Sequence, residues 1–222
     1  MDSVGFDDSS DSKNWYRDLY NLQDGVLKAV FSVETEFYLT GGTCLSRFYK
    51  AKRYSDDLDF FTHNSPRFAF AVRNIKHAIE KSFNIKIEVE TKNFVRLNVN
   101  NSLQIDFVND ISFQHKSPIV TESNYLIDNI ENILANKISA VISRDNPKDI
   151  FDIAMIYHYY NISWQEILSA AHKKAGFENE DLVIRLKSFP KDMLKQIKCI
   201  DCGFLKYFET DIKGIITEIL SE

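Results

Sequence analysis

The chain has 222 residues, 44% of them hydrophobic, 13% aromatic and 27% charged, with a formal net charge of -5 at pH 7. That apolar share supports a core and excludes the disordered and collagen-like classes, while the apolar runs fall far short of the roughly 18 residues a membrane-spanning helix needs. An acidic start, MDSVGFDDSSDSKNW, is unlike an export signal, and three cysteines (Cys44, Cys199, Cys202) are too few for a disulfide framework; both point to a soluble protein of the reducing cytoplasm with no membrane partner. Residues 1–35 carry seven acids against three bases, so the remainder is nearly neutral. Bulk charge does not suit nucleic acid, but local basic patches have room.

Taken in chain order, DDSSDS is small, polar and acidic and is expected to be mobile. An amphipathic helix is expected from Trp15 to Phe31, with Trp15, Leu19, Leu22 and Val26 at helical spacing. FYLT (37–40) reads as a strand, Gly41-Gly42 as a tight turn and TCLSRFYKA as a short helix. DLDFFT (57–62) reads as a second strand and Arg67 to Phe83 as a helix. IKIEVE, FVRLNV and LQIDFV follow as three alternating strands, broken at Lys92-Asn93 and Asn100-Asn101. Beyond residue 120 the period becomes helical: Leu126, Ile130, Ile133, Leu134, Ile138, Val141 and Ile142 form one stripe, and further helices are expected at 147–160, 163–174, 179–187 and 204–220. The predicted class is α+β, with a mixed sheet and flanking helices in residues 1–120 and a helical bundle in 121–222 that shares an interface with it.

The chemistry concentrates in Tyr38-Leu-Thr-Gly-Gly-Thr-Cys-Leu-Ser-Arg47 and Arg53-Tyr-Ser-Asp-Asp-Leu-Asp-Phe60. On a strand, Asp57 and Asp59 share one face about 7 Å apart, with Leu58 and Phe60 on the other. At an effective dielectric of about 20 their repulsion is about 2 kcal/mol, which a divalent cation between them would reverse. Hard oxygen ligands suit Mg²⁺, or Mn²⁺, with phosphate oxygens completing the shell. Gly41, Gly42 and the N–H groups at Thr43 offer a phosphate a seat beside the metal. A third carboxylate is expected of a two-metal site. Asp106, on the polar face of LQIDFV, is the candidate, with Glu88 and Glu90 in reserve. An acid on a solvated strand face is an equally good reading of Asp106.

The run Gly41-Gly42-Thr43, Leu45 and Arg53-x-Ser55-x-Asp57-Leu58-Asp59-Phe60 resembles the signature of AbiEii/AbiGii-type nucleotidyltransferase toxins, a branch of the DNA polymerase beta-like superfamily. The branch's later motif, a helical lysine, an arginine two turns on and basic-Asp-x-x-Asp, is matched by Lys137, Arg144, Lys148, Asp149 and Asp152. The resemblance implies a polymerase beta-like fold and transfer of a nucleotide from a nucleoside triphosphate to an acceptor hydroxyl. It also implies a tRNA 3′ end as acceptor and an antitoxin as partner. On it, Asp57, Asp59, Lys137 and Asp149 are the candidate catalytic residues. Gly41, Gly42, Thr43, Arg53, Ser55 and Lys137 would hold phosphates, and Asp57, Asp59 and Asp106 the metal. Lys148 stands where arginine is frequent, giving a point charge instead of a fork. Asn146 and Pro147 read as an N-cap and first helical residue, which gives Asp149 a structural role as well.

Other signals are weaker. Arg47, Lys50, Lys52 and Arg53, interleaved with Tyr49 and Tyr54, read as a solvated helix end or, beside a nucleotide site, as a phosphate-steering patch. Cys199 and Cys202 are expected to be incidental thiols, and the histidines have no metal-ligand spacing. Two alternatives to RNA modification are transfer to a small molecule or protein hydroxyl and a non-catalytic nucleotide-binding module.

Overall fold

The structure, a computed structural model, describes residues 10–111 and 113–221. Helix α1 spans Ser10–Phe31, so part of the stretch expected to be mobile is helical; the rest of it lies outside the described residues. Its buried face is Tyr16, Leu19, Gln23, Val26, Leu27 and Val30; Leu19 and Val26 of the expected stripe lie on it, whereas Leu22 is half-buried and Trp15 is 46% exposed. The face turns because the loop before the aspartates offers polar partners. Tyr16 donates to Asp56 at 2.7 Å and stacks on Tyr54, and Gln23 donates to the Ser55 carbonyl at 3.1 Å.

Strand β1 (Tyr38–Thr40) runs straight into helix α2 (Gly41–Cys44), which continues through one wide turn to Tyr49. Gly41-Gly42 is thus the first turn of a helix instead of a separate turn. β2 (Leu58–His63) is followed by α3 (Phe68–Glu80), β3 (Ile85–Glu90), β4 (Phe94–Val99) and β5 (Leu103–Asp110). Asn100 and Asn101, both at positive φ, close the β4–β5 hairpin, a conformation asparagine tolerates better than most residues. Two short strands follow, β6 (Ile119–Val120) and β7 (Leu126–Ile127), and the sheet order is β3-β4-β5-β2-β1-β7-β6. Leu126 therefore belongs to the sheet, not to the helical stripe, and the sheet runs past residue 120. β2 is antiparallel to β1 and parallel to β5, which places Thr40, Asp59 and Asp106 side by side across three strands.

The remainder is helical: α4 (Ile130–Ser143), α5 (Pro147–Tyr159), α6 (Trp164–Lys174), α7 (Asn179–Ser188) and α8 (Phe208–Leu220), with 3₁₀ turns at Lys191–Gln196 and Gly203–Tyr207. Side-chain caps start three of them: Asn129, Asn146 and Ser163 accept from backbone N–H groups two or three residues on. One apolar core passes through both halves, from Phe37, Leu58, Phe60 and Phe107 in the sheet to Leu134, Ile138, Phe151 and Ile215 in the helices. No helix among the described residues is long and apolar enough to cross a membrane.

Candidate active site

Alternation on β2 sends Leu58 and Phe60 into the core, both fully buried, and leaves Asp57 and Asp59 half-buried on the opposite face. That face forms one wall of a cleft of about 720 Å³, together with Gly41, Gly42, Ser55, Asp106 and Asp110. The opposite wall comes from α4 and α5 and carries Lys137, Arg144, Lys148 and Asp149. Acids thus cluster on the sheet side and cations on the helical side.

The glycine pair is required sterically. Gly41 has φ +72°, and a Cβ there would overlap the Asp59 carboxylate; a Cβ at Gly42 would overlap the Arg53 guanidinium and come within 3.0 Å of Ser55 Oγ. Thr43 is fully buried, its hydroxyl donating to the Asp57 carbonyl, so its side chain holds the approach to β2 and does not line the cleft. Ser55 Oγ lies 3.5 Å from Asp57 Oδ1. Burial and the negative neighbours Asp57 and Asp106 push the Asp59 carboxyl up to about 7, against the opposing pull of Lys137 and Arg144.

Asp106 sits beside Asp59, but both its oxygens accept from Arg96 at 2.7 Å. The expectation of three carboxylates around metal ions therefore meets a competing partner. Among the described residues no three His, Cys, Asp or Glu side chains gather into a metal-binding group. Asp57 and Asp59 as a pair still fit a divalent cation: an acid kept from ionising by its like-charged neighbours is the electrostatic deficit such an ion corrects, and Mg²⁺ commonly takes only one or two protein carboxylates. Glu88 and Glu90 do not line the cleft.

Behind the helical wall runs a buried ion network. Arg53 donates through Nε and Nη2 to Asp152, both at 2.7 Å. Lys137 Nζ lies 2.8 Å from Asp149 and 2.9 Å from Asp152, and Arg144 Nε lies 2.7 Å from Asp149. Three cations face two anions, leaving one net positive charge next to the acidic wall. Burial alone would raise the carboxyls of Asp149 and Asp152. Lys137 with Arg144, and Arg53 with Lys137, more than offset it and hold both below the usual range. Burial likewise opposes the charge on Lys137, and the two aspartates overcome it. Arg144 remains 57% exposed while paired, and Lys148 pairs with Asp56 at 2.9 Å.

Three expectations need correction. The basic run is not a free phosphate-steering patch: Arg47 pairs with Asp24, Lys52 with Asp201 and Arg53 with Asp152, while Lys50 lies over the Tyr159 ring. Arg53, expected to hold phosphate, lines the cleft beside Gly42 but is 4% exposed, with its guanidinium already engaged by Asp152. Cys199 and Cys202 form a disulfide in the segment that hydrogen-bonds to residues 52 and 54. Sequence reasoning also missed Arg96 as the partner of Asp106, and Asp128, a buried acid that accepts from Thr40 at 2.6 Å beside the site.

Comparison with known proteins agrees with this architecture. The family profile described as "Nucleotidyl transferase AbiEii toxin, Type IV TA system" matches residues 26–199. Among solved structures, MenT4, a nucleotidyltransferase toxin from Mycobacterium tuberculosis H37Rv, superposes with a TM-score of 0.67 at 12% identity, covering 94% of this chain and 85% of its own. JHP933 from Helicobacter pylori superposes at 0.54 and 21% identity, covering 93% of this chain and 90% of its own. At these identities both likenesses speak to the fold. No curated protein matches significantly.

Proposed function

The chain belongs to the AbiEii nucleotidyl transferase toxin family of type IV toxin–antitoxin systems, and from that premise we propose that it transfers a nucleoside monophosphate from a triphosphate to the 3′ hydroxyl of a tRNA in the cytoplasm, in a Mg²⁺-dependent reaction restrained by a cognate antitoxin. The observation that carries the reading is the polarised cleft, with Asp57 and Asp59 on one wall and Lys137 and Arg144 on the other. Such a cleft separates the two tasks of phosphoryl transfer, gathering cations near the reacting phosphorus and neutralising the departing phosphates.

A divalent ion bound by Asp57 and Asp59 would supply Lewis-acid charge at the α-phosphate. The residues do the rest. Gly41 and Gly42 line the cleft, and their lack of Cβ atoms leaves room for the Asp59 carboxylate and the Arg53 guanidinium to sit against the first turn of α2, beside the triphosphate. Arg144, the exposed member of the ion network, meets the outgoing pyrophosphate, and Lys137 adds positive potential from behind. Asp149 and Asp152 act as positioning residues that hold Lys137, Arg144 and Arg53 in place. Asp106, paired with Arg96, tunes the charge around Asp59 and closes the metal shell only if Arg96 yields.

The test for the acceptor uses total tRNA with intact or periodate-oxidised 3′ ends, labelled triphosphates and Mg²⁺. Label is expected in intact tRNA alone. Equal labelling of oxidised tRNA would remove the 3′ hydroxyl, and label in protein or a small molecule would replace RNA as acceptor.

A further inference from the structure

We propose that a recess next to the cleft, at the corner where α4, α5 and α7 meet the Lys191–Gln196 turn, binds a nucleobase. The recess encloses about 290 Å³ and shares Arg144 and Asn146 with the cleft, so the two spaces adjoin at those side chains. That volume sits at the lower edge of small-ligand pockets and has room for a planar ring system. Ile150, Phe189 and Met193 give it apolar walls.

Arg144, Asp145, Asn146, Arg185 and Ser188 make its polar side, and Arg185 is the one held in place from two directions. The guanidinium donates through Nε to the Val141 carbonyl at 2.9 Å, and Nη2 lies 2.9 Å from Asp145, so its plane is fixed before any ligand arrives. A pinned guanidinium presents a flat surface to a base, and Phe189 in the same lining adds an aromatic one, the two kinds of surface that recognise unstacked bases. The α7 helix that carries Arg185 lies beyond residue 160, past the last of the motif residues named in the sequence. This inference rests on the nucleotidyl-transfer reading, since that reading puts a nucleotide in the cleft. The base has two sources, the triphosphate or the terminal nucleotide of the acceptor.

Ser188 is exposed at the end of α7, so Ser188→Trp fills the recess without disturbing the core. Met193→Ala enlarges it and serves as a second variant. Equilibrium binding to the full chain is measured with each of the four nucleoside triphosphates and with a short single-stranded RNA, alongside thermal melting to confirm folding. Ser188→Trp is expected to weaken one probe at least tenfold and leave the other unchanged. Loss of triphosphate binding assigns the donor base, and loss of RNA binding the acceptor base. Met193→Ala is expected to shift purine-over-pyrimidine preference for that probe at least threefold. Folded variants that bind both probes like the unaltered chain overturn the site, as does an unaltered chain that binds neither. Binding that meets these expectations in a chain that transfers no nucleotide would instead sink the catalytic reading and keep the recess.

Discussion

Burial and two like-charged neighbours make Asp59 a costly residue to keep charged, and the proposed reaction needs that charge. Its neighbours Asp57 and Asp106 disfavour its charge, so Asp59→Asn is expected to leave the melting temperature unchanged or slightly higher while lowering transfer at least a thousandfold. Activity that survives in the folded variant contradicts its role. Gly41→Ala should behave differently, because φ +72° and the overlap with the Asp59 carboxylate penalise both fold and site. A loss of about 1–3 kcal/mol in urea unfolding, together with impaired transfer, is the expected result. Asp152→Ala leaves Arg53 and Lys137 buried with one partner fewer. It should cost about 3–5 kcal/mol, whereas truncating an exposed pair such as Lys195–Asp192 should leave the unfolding midpoint nearly unchanged.

At the scale of elements, Asp128 ties the end of β7 to β1 and α2. It accepts from Thr40 and Asn132 through its carboxylate, and its carbonyl accepts from the Cys44 thiol and Tyr49 hydroxyl. Burial pushes its carboxyl up to about 6, only partly opposed by the Thr40 and Asn132 hydrogen bonds. A carboxyl raised in the folded state costs nothing below its unfolded value near 4 and its full penalty above about 6, so stability falls as pH rises between them. The difference corresponds to about 3 kcal/mol. Urea unfolding at pH 4 and pH 6.5 should show Asp128→Asn gaining stability relative to the unaltered chain by an amount of that order. A constant difference between the two proteins would contradict it.

Much of this level was legible in the residues. Alternation alone put Asp57 and Asp59 on one face, and the Asn146-Pro147 pair announced the start of α5. The Arg96–Asp106 pair was also within reach, because a hairpin with Val99 opposite Leu103 brings 96 opposite 106. The face of α1 was not, since Tyr16 and Gln23 turn inward for partners in a loop thirty or more residues away. β7 escaped for a similar reason: two residues have no period, and only pairing with β6 on one side and with Leu39 of β1 on the other makes them a strand.

Across the whole molecule, the shared core makes the two halves mutually dependent. β7 and α4 lie beyond residue 120 yet cover β1, which delivers the glycine turn. Residues 1–120 alone should therefore fail to give a cooperative unfolding transition, whereas the full chain gives one. Two separate transitions in the full chain would contradict a common core. The cleft exists because the acidic sheet wall and the cationic helical wall come from those two halves, and the Arg53–Asp152 ion pair spans the junction, while Lys137–Asp149 ties α4 to α5 within the helical half. The measurement closest to the central claim is transfer from a triphosphate labelled at either the α or the γ phosphate, with Mg²⁺ and tRNA, for the unaltered chain and for Asp57→Asn. Label from the α position should enter the acceptor and label from the γ position should leave as pyrophosphate, both abolished by the substitution. Transfer of the γ label, or transfer untouched by the substitution, would contradict the account.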